Sequence, residues 1–137
     1  MNHTRLVFFL VLLLTAQLSY AGWASFFAYN EVNYIAVSND NVYAISNGSL
    51  FSVNKFTEKI TKYDNQTGLH ATGITQIFYD STNQQLVIFY KTGKIDVLNA
   101  RGVIYIDGLY KKDFTYDKIV NNVTEKDGIA YLATSFG

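Results

Sequence analysis

The sequence predicts an all-β fold built from repeated four-stranded antiparallel sheets. Its 137 residues contain no proline, and tyrosine and phenylalanine supply most of the 16% of residues that are aromatic, a composition that suits strands. Gly48, Gly93 and Gly137 lie 45 and 44 residues apart, and each follows an apolar run. Some of these runs do not alternate apolar and polar residues, which indicates strands covered on both faces. Stacked four-stranded units of about 45 residues describe a β-propeller.

Ten short strands are predicted between residues 32 and 134, separated by turn residues. The first unit is expected at Val32–Val37, Val42–Ser46, Leu50–Val53 and Lys59–Tyr63. The second unit is expected at Ile74–Tyr79, Leu86–Tyr90, Lys94–Leu98 and Val103–Ile106. A third unit begins with Ile119–Thr124 and Ile129–Thr134. The pair Asn47-Gly48 favours a two-residue hairpin, because both central residues of a type I′ turn need a positive φ.

The repeat predicts two whole blades and about half of a third within residues 22–137. Gly48, Gly93 and Gly137 are expected to close the hairpin between the second and third strands of successive blades. The runs "VYAI", "LVIFY" and "IAYLA" are expected to be buried on both faces. Since propellers typically close with four to eight blades, we interpret the chain as the N-terminal piece of a longer protein. Trp23–Phe27 is expected to supply the outer strand of the last blade of the complete propeller and so close its ring.

Residues 1–21 have the plan of a secretory signal peptide. Arg5 provides the positive charge, Leu6–Ala16 the apolar core, and Ser19 and Ala21 the small residues before a cleavage site between Ala21 and Gly22. The apolar run is too short for a membrane span, which takes about 20 residues. We therefore expect secretion across the inner membrane, to the periplasm or the outer-membrane cell surface. An uncleaved anchor or a buried helix is the alternative.

Charge and composition exclude several functions. The 11 basic and 11 acidic residues are scattered, which argues against a nucleic-acid partner, and the pair Lys111-Lys112 is expected to be a solvated loop. The absence of cysteine excludes disulfides and thiolate metal sites. His70, the one histidine after cleavage, is expected to be an exposed loop residue. The oxygen-rich segment 64–68 suits an Asx turn better than a calcium loop. No catalytic residue, cofactor site or metal site is predicted.

Recurrent motifs resemble the two-component-regulator propeller repeat of Bacteroidetes proteins. They are Leu50-Phe51, Tyr63, Gly68-Leu69, and the spaced residues Ile74, Ile77 and Asp80. The N-terminal arrangement is similar to that of the PorZ-like propellers of the type IX secretion system. That likeness is carried by Trp23, Phe26, Tyr29-Asn30, Ile35-Ala36-Val37, Val42-Tyr43-Ala44 and the segment 48–52. Asp80-Ser81-Thr82 also resembles a Bacteroidetes O-glycosylation motif with the sugar on Ser81; a turn without sugar is the alternative.

The resemblance implies a non-enzymatic, cell-surface component of an attachment complex. Its protein partners would be the sortase PorU together with PorV and PorQ, and its glycan ligand anionic lipopolysaccharide. Two other interpretations stay open: the sensor ectodomain of a hybrid two-component system that binds a polysaccharide fragment, and a carbohydrate-active enzyme, which would need clustered carboxylates. Because loops carry function more often than strand interiors, Asn65–Thr72 and Leu109–Tyr116 are the candidate binding loops.

Overall fold

The computed structural model describes residues 31–113, 115–126 and 129–136. Ten strands lie in these residues: β1 (Val32–Val37), β2 (Asn41–Ser46), β3 (Ser49–Asn54), β4 (Ile60–Tyr63), β5 (Ile74–Asp80), β6 (Gln85–Tyr90), β7 (Ile95–Asn99), β8 (Gly102–Ile106), β9 (Val120–Lys126) and β10 (Ile129–Thr134). A 3-10 turn, Asn65–Thr67, follows β4. Within the described ranges, no helix has the length and apolar character needed to cross a bilayer.

The strands form three antiparallel sheets in chain order. The first sheet has the order β1-β2-β3-β4, the second β5-β6-β7-β8, and β9 pairs with β10. Contacts between sheets run from β1 to β5 and from β5 to β9, so the first strand of each sheet lies next to the first strand of the following one. The predicted all-β architecture of four-stranded sheets is confirmed, with strand ends shifted by one or two residues.

A bulge recurs in the first strand of each sheet. It leaves Asn33, Thr75 and Asn121 without a directly opposite residue. A bulge bends its strand and increases the local twist, so three bulges at matching positions give the three sheets the same local shape. This repetition supports one structural unit used three times.

The two described hairpin glycines adopt different turns. Asn47 and Gly48 have φ of 49° and 72° between the paired residues Ser46 and Ser49, as a type I′ turn requires. Gly93, with φ of 82°, donates its N–H to the Tyr90 carbonyl at 2.9 Å and closes a longer loop between β6 and β7. Gly137 lies outside the described residues, as do residues 1–21 and Trp23–Phe27.

The core lies between the first and second sheets. Its most buried side chains include Ile45 and Leu50 of the first sheet, and Leu86 and Ile88 of the second. Burial of a Leu or Ile side chain contributes about 1.5–3 kcal/mol, so this interface holds the two sheets together.

Burial on both faces, predicted for three runs, is confirmed for two of them. Consecutive residues are buried in "VYAI" of β2 and in "LVIFY" of β6. The prediction is wrong for "IAYLA" of β10, where Ile129, Tyr131 and Leu132 are 57%, 52% and 37% exposed. The physical reason is that, in the part of the chain that the structure describes, β10 pairs with β9 alone.

Strand direction sorts the loops to two ends of the sheets. At one, which we call the connector end, lie the β2–β3 and β6–β7 hairpins and the connections from β4 to β5 and from β8 to β9. At the other, the turn end, lie the turns β1–β2, β3–β4, β5–β6 and β7–β8. Both candidate loops, Asn65–Thr72 and Leu109–Tyr116, belong to the connector end; of the second, residue 114 is outside the described part.

Candidate functional site

Asp96 is a fully buried carboxyl group near the connector end of β7. It accepts hydrogen bonds from the Tyr90 hydroxyl at 2.6 Å and from the His70 backbone N–H at 2.8 Å. The His70 Nδ1 atom lies 2.9 Å from its other oxygen. Because a buried polar group without partners costs about 1–3 kcal/mol, these contacts make Asp96 an anchor that ties the β4–β5 connection to the second sheet.

Burial raises the pKa of Tyr90, and its hydrogen bond to Asp96 raises it further. The Tyr90 hydroxyl therefore keeps its proton at neutral pH and acts as the donor to Asp96. A tyrosine in this state is a structural member of the network rather than an acid poised to react.

The β4–β5 connection is shaped by a turn that presents His70 to Asp96. The Asp64 carboxyl group accepts the N–H groups of Gln66 and Thr67 at 2.9 and 3.1 Å, and the Thr67 hydroxyl accepts the Asp64 N–H at 2.7 Å. Gly68 ends the turn with φ of 102°. The predicted Asx turn is therefore present, and the side-chain oxygens of Asp64 and Thr67 take part in its hydrogen bonds.

His70 lies on the surface, as expected, but it is held by two partners. Its side chain is 43% exposed, and its ring stacks on Tyr105 with centroids 4.9 Å apart and an angle of 20° between the planes. Since Nδ1 faces Asp96, Nε2 is the nitrogen left for a ligand. A carboxyl group that fixes one ring nitrogen sets the orientation of the other.

Two lysines and two tyrosines lie at the connector end with this histidine, which stacks on one of them, Tyr105. Lys94 Nζ lies 5.8 Å from the Tyr105 ring centroid and 5.3 Å from that of Tyr110. Lys118 Nζ lies 5.8 Å from the Tyr110 ring centroid and donates to the Tyr110 carbonyl at 2.7 Å. We call these four residues, together with His70, the basic-aromatic patch. Ammonium groups beside aromatic faces suit an anionic group carried on a sugar or ring.

Gly93 brings the β8–β9 connection onto the patch. A Cβ atom at Gly93 would lie 2.7 Å from Lys118 Cβ, closer than atoms can pack. At Gly48 the same atom would be 3.4 Å from Gly73 Cα, and the Gly48 carbonyl accepts the Ile74 N–H at 3.1 Å. Gly48 thus joins the first sheet to the second, whereas Gly93 makes room for Lys118.

The remaining predicted residues lie apart from this patch. Ser81 is exposed in the β5–β6 turn at the turn end, and a sugar there stays a prediction. Beside it, hydrogen bonds from Asn83 lower the pKa of the Asp80 carboxyl group. Lys111 is exposed and pairs with Asp107 at 2.6 Å. Among the described residues, no cluster of three or more His, Cys, Asp or Glu is arranged to hold a metal.

Sequence reasoning missed the anchor and the patch. A single carboxylate inside the apolar strand "KIDVL" was the available signal for Asp96, because acidic residues are almost never fully buried without a partner. Its partner could not be inferred, since His70 is 26 residues away.

The repeated four-stranded antiparallel sheets define a class: a β-propeller domain. A family model described as the PorZ N-terminal β-propeller domain of the type IX secretion system matches residues 42–137. The chain belongs to that family. No curated protein matches it.

A solved structure of PorZ from Porphyromonas gingivalis is similar to the chain, with 31% sequence identity and a TM-score of 0.77. The match covers 84% of this chain and 16% of the PorZ chain. That PorZ is described as an essential bacterial surface component of the type IX secretion system. The shared fold agrees with the repeated antiparallel sheets.

Proposed function

We propose that the chain is the N-terminal part of a non-enzymatic type IX secretion component at the outer-membrane surface. Membership of the PorZ N-terminal propeller family carries this proposal. It supports the secretion interpretation over a two-component sensor, and proteins of an attachment complex are the expected partners. Residues 1–21, as a cleaved signal peptide, would bring the chain across the inner membrane.

We further propose that the basic-aromatic patch binds the anionic part of lipopolysaccharide. Lys94 and Lys118 are cations held over tyrosine rings, and His70 is oriented by Asp96 with Nε2 left for a ligand. Phosphate or carboxylate groups of a glycolipid would meet the cations, while sugar rings would lie against Tyr105 and Tyr110. Charge-assisted hydrogen bonds of this kind are about twice as strong as neutral ones.

Binding of purified lipopolysaccharide to the intact protein, measured at two salt concentrations, tests the patch. The double variant Lys94→Ala/Lys118→Ala should weaken binding about tenfold, the effect of losing about 1.4 kcal/mol, and reduce its salt dependence. The matched control is Lys59→Ala/Lys126→Ala, which removes the same charge from exposed residues near the turn end. Equal weakening by both variants would contradict a localised site.

Deletion of the gene in its own bacterium tests the secretion role separately. We expect cargo of the type IX system to be lost from the cell surface and restored by the wild-type gene. Normal cargo display in the deletion strain would refute the secretion role, whatever the outcome of the lipopolysaccharide measurement.

A further inference from the structure

A cavity opens at the turn end, between the first and second sheets. It has a volume of about 300 Å³, at the lower limit of the range of about 300–1,000 Å³ for small-molecule sites. Its floor consists of Tyr43, Tyr63 and Tyr79, and its rim includes Asp40, Gln84 and Asn99. We call it the tyrosine cleft. It lies at the opposite end of the sheets from the basic-aromatic patch and shares no residue with it.

The tyrosines of the floor come from both sheets and touch one another. Tyr43 of β2 and Tyr79 of β5 are nearly parallel, with centroids 6.3 Å apart. The Tyr43 and Tyr63 centroids are 6.1 Å apart, and the Tyr63 hydroxyl is 3.1 Å from Ser52 Oγ. Burial raises the pKa of Tyr43, and the nearby Tyr63 and Tyr79 hydroxyls raise it further. The floor is thus a fixed aromatic surface across the sheet boundary.

Three turns at the rim are held rigid by their own side chains. The Ser38 hydroxyl donates to the Asn41 carbonyl at 3.1 Å and accepts the Asn41 N–H at 2.9 Å. Asp80 accepts hydrogen bonds from Asn83 in the turn that contains Gln84. The side-chain oxygen of Asn99 accepts a hydrogen bond from the Arg101 N–H at 2.8 Å. A rim fixed before binding lowers the entropy cost of holding a ligand.

The polar groups that face the cleft have capacity left for a ligand. Among the described residues, no hydrogen bond is made by the Gln84 amide, the Asp40 carboxyl group or the Tyr79 hydroxyl, and the Asn99 amide nitrogen is also available. These groups include both donors and acceptors. Asp40 is the one charged residue of the lining, so an anionic ligand would be repelled.

We propose that the tyrosine cleft binds a neutral sugar of one or two rings. A sugar has an apolar C–H face that packs on an aromatic ring and a rim of hydroxyls that both donate and accept. The floor and rim of the cleft match those two properties. A purely apolar ligand would leave the rim groups unpaired, at a cost of about 1–3 kcal/mol for each buried group.

Saturation-transfer NMR on the intact protein tests this proposal, with glucose, galactose, mannose and N-acetylglucosamine as free sugars and as their disaccharides. At least one of these probes should bind, and Gln84→Ala or Tyr79→Phe should weaken its binding about fivefold or more. Gln84→Ala changes a turn residue, and Tyr79→Phe removes only a hydroxyl and keeps the ring of this β5 residue; folding is checked by an unchanged melting temperature. Lys94→Ala, at the connector end, is the matched control and should leave binding unchanged.

Each result decides the proposal. Binding that is lost in the cleft variants and kept in Lys94→Ala supports it, whether a single sugar or a disaccharide is preferred. No binding by any probe overturns it, and so does binding that Lys94→Ala removes, because the sugar would then lie on the basic-aromatic patch. The secretion role is not tested by these measurements, so the two proposals fail independently.

Discussion

The two ends of the sheets are built from the same strands but differ in how they are held and in their charge. At the connector end, the buried Asp96 fastens a loop from 26 residues away, and lysines lie over tyrosine rings. At the turn end, the side-chain hydrogen bonds that Ser38 makes with Asn41 and Asp80 makes with Asn83 stay within single turns, and the cleft carries one acidic residue. The repeated sheet therefore supplies the scaffold, while each set of loops has its own chemistry.

The largest expected difference between the ends is in stability. Asp96→Ala should lower the free energy of unfolding by about 3–5 kcal/mol, because it leaves the buried Tyr90 hydroxyl and the His70 N–H without their acceptor. Asp80→Ala, at the exposed turn end, should cost about 1 kcal/mol, the loss of a local cap-like interaction. Urea denaturation of the intact protein measures both. Equal losses would show that Asp96 is not an anchor.

The second test compares the two hairpin glycines of the connector end. Gly48→Ala should cost about 1–2 kcal/mol, the price of a left-handed conformation for an L residue. Gly93→Ala carries the same strain and adds a contact of 2.7 Å with Lys118 Cβ, so it should cost more. Melting temperatures of the two variants provide the measurement. If Gly48→Ala were the more damaging change, the β8–β9 connection would not be packed against Gly93.

The third test uses alkaline pH. The folded-state pKa values of Tyr90 and Tyr43 are raised above 10.0. The contribution of these two hydroxyls to the free energy of unfolding is therefore complete below that pH and is lost as the pH rises further. Tyr90→Phe should reduce the fall in stability with rising pH more than Tyr43→Phe at the turn end does, because the Tyr90 hydroxyl also donates to a carboxyl group. Denaturation midpoints at neutral pH and above about pH 10 measure the slopes. Identical slopes in wild type and Tyr90→Phe would contradict the expectation.

The smallest expected effect is at acid pH and belongs to the turn end. Hydrogen bonds from Asn83 lower the pKa of Asp80. The contribution of the Asp80 carboxylate to the free energy of unfolding is therefore present above the unfolded pKa of 3.8 and is lost as the pH falls below it. Asp80→Asn should therefore lose less stability than wild type between about pH 5 and about pH 3. Because Asp80 is only partly buried, the difference should be small; a large one would mean that this turn is more than a local element.

Much of the fold could be predicted because each strand is a local pattern. The Asn47-Gly48 turn and the apolar runs of β2 and β6 fix their own hairpins, and the regular spacing fixes the repeat. The exposure of β10 could not be predicted, since burial depends on what lies opposite a strand rather than on its own residues.

The site was predicted only in part. The candidate loops Asn65–Thr72 and Leu109–Tyr116 do lie at one end and carry or adjoin the patch. The residues that make it a surface, above all Lys94 of the β6–β7 hairpin and Tyr105 of β8, come from segments whose sequence gives no sign of binding. Their meeting with His70 depends on packing between a connection and a sheet, which no short motif encodes.

Every strand pairing in the first sheet joins segments that follow one another in the chain, all between Val32 and Tyr63. Contacts of this local kind form quickly, because little chain entropy is lost in closing them. A polypeptide threaded N-terminus first through a narrow pore can therefore complete one sheet before the next emerges. For a chain delivered in this way, each finished sheet would present the surface on which its successor docks, and assembly would follow the direction of delivery.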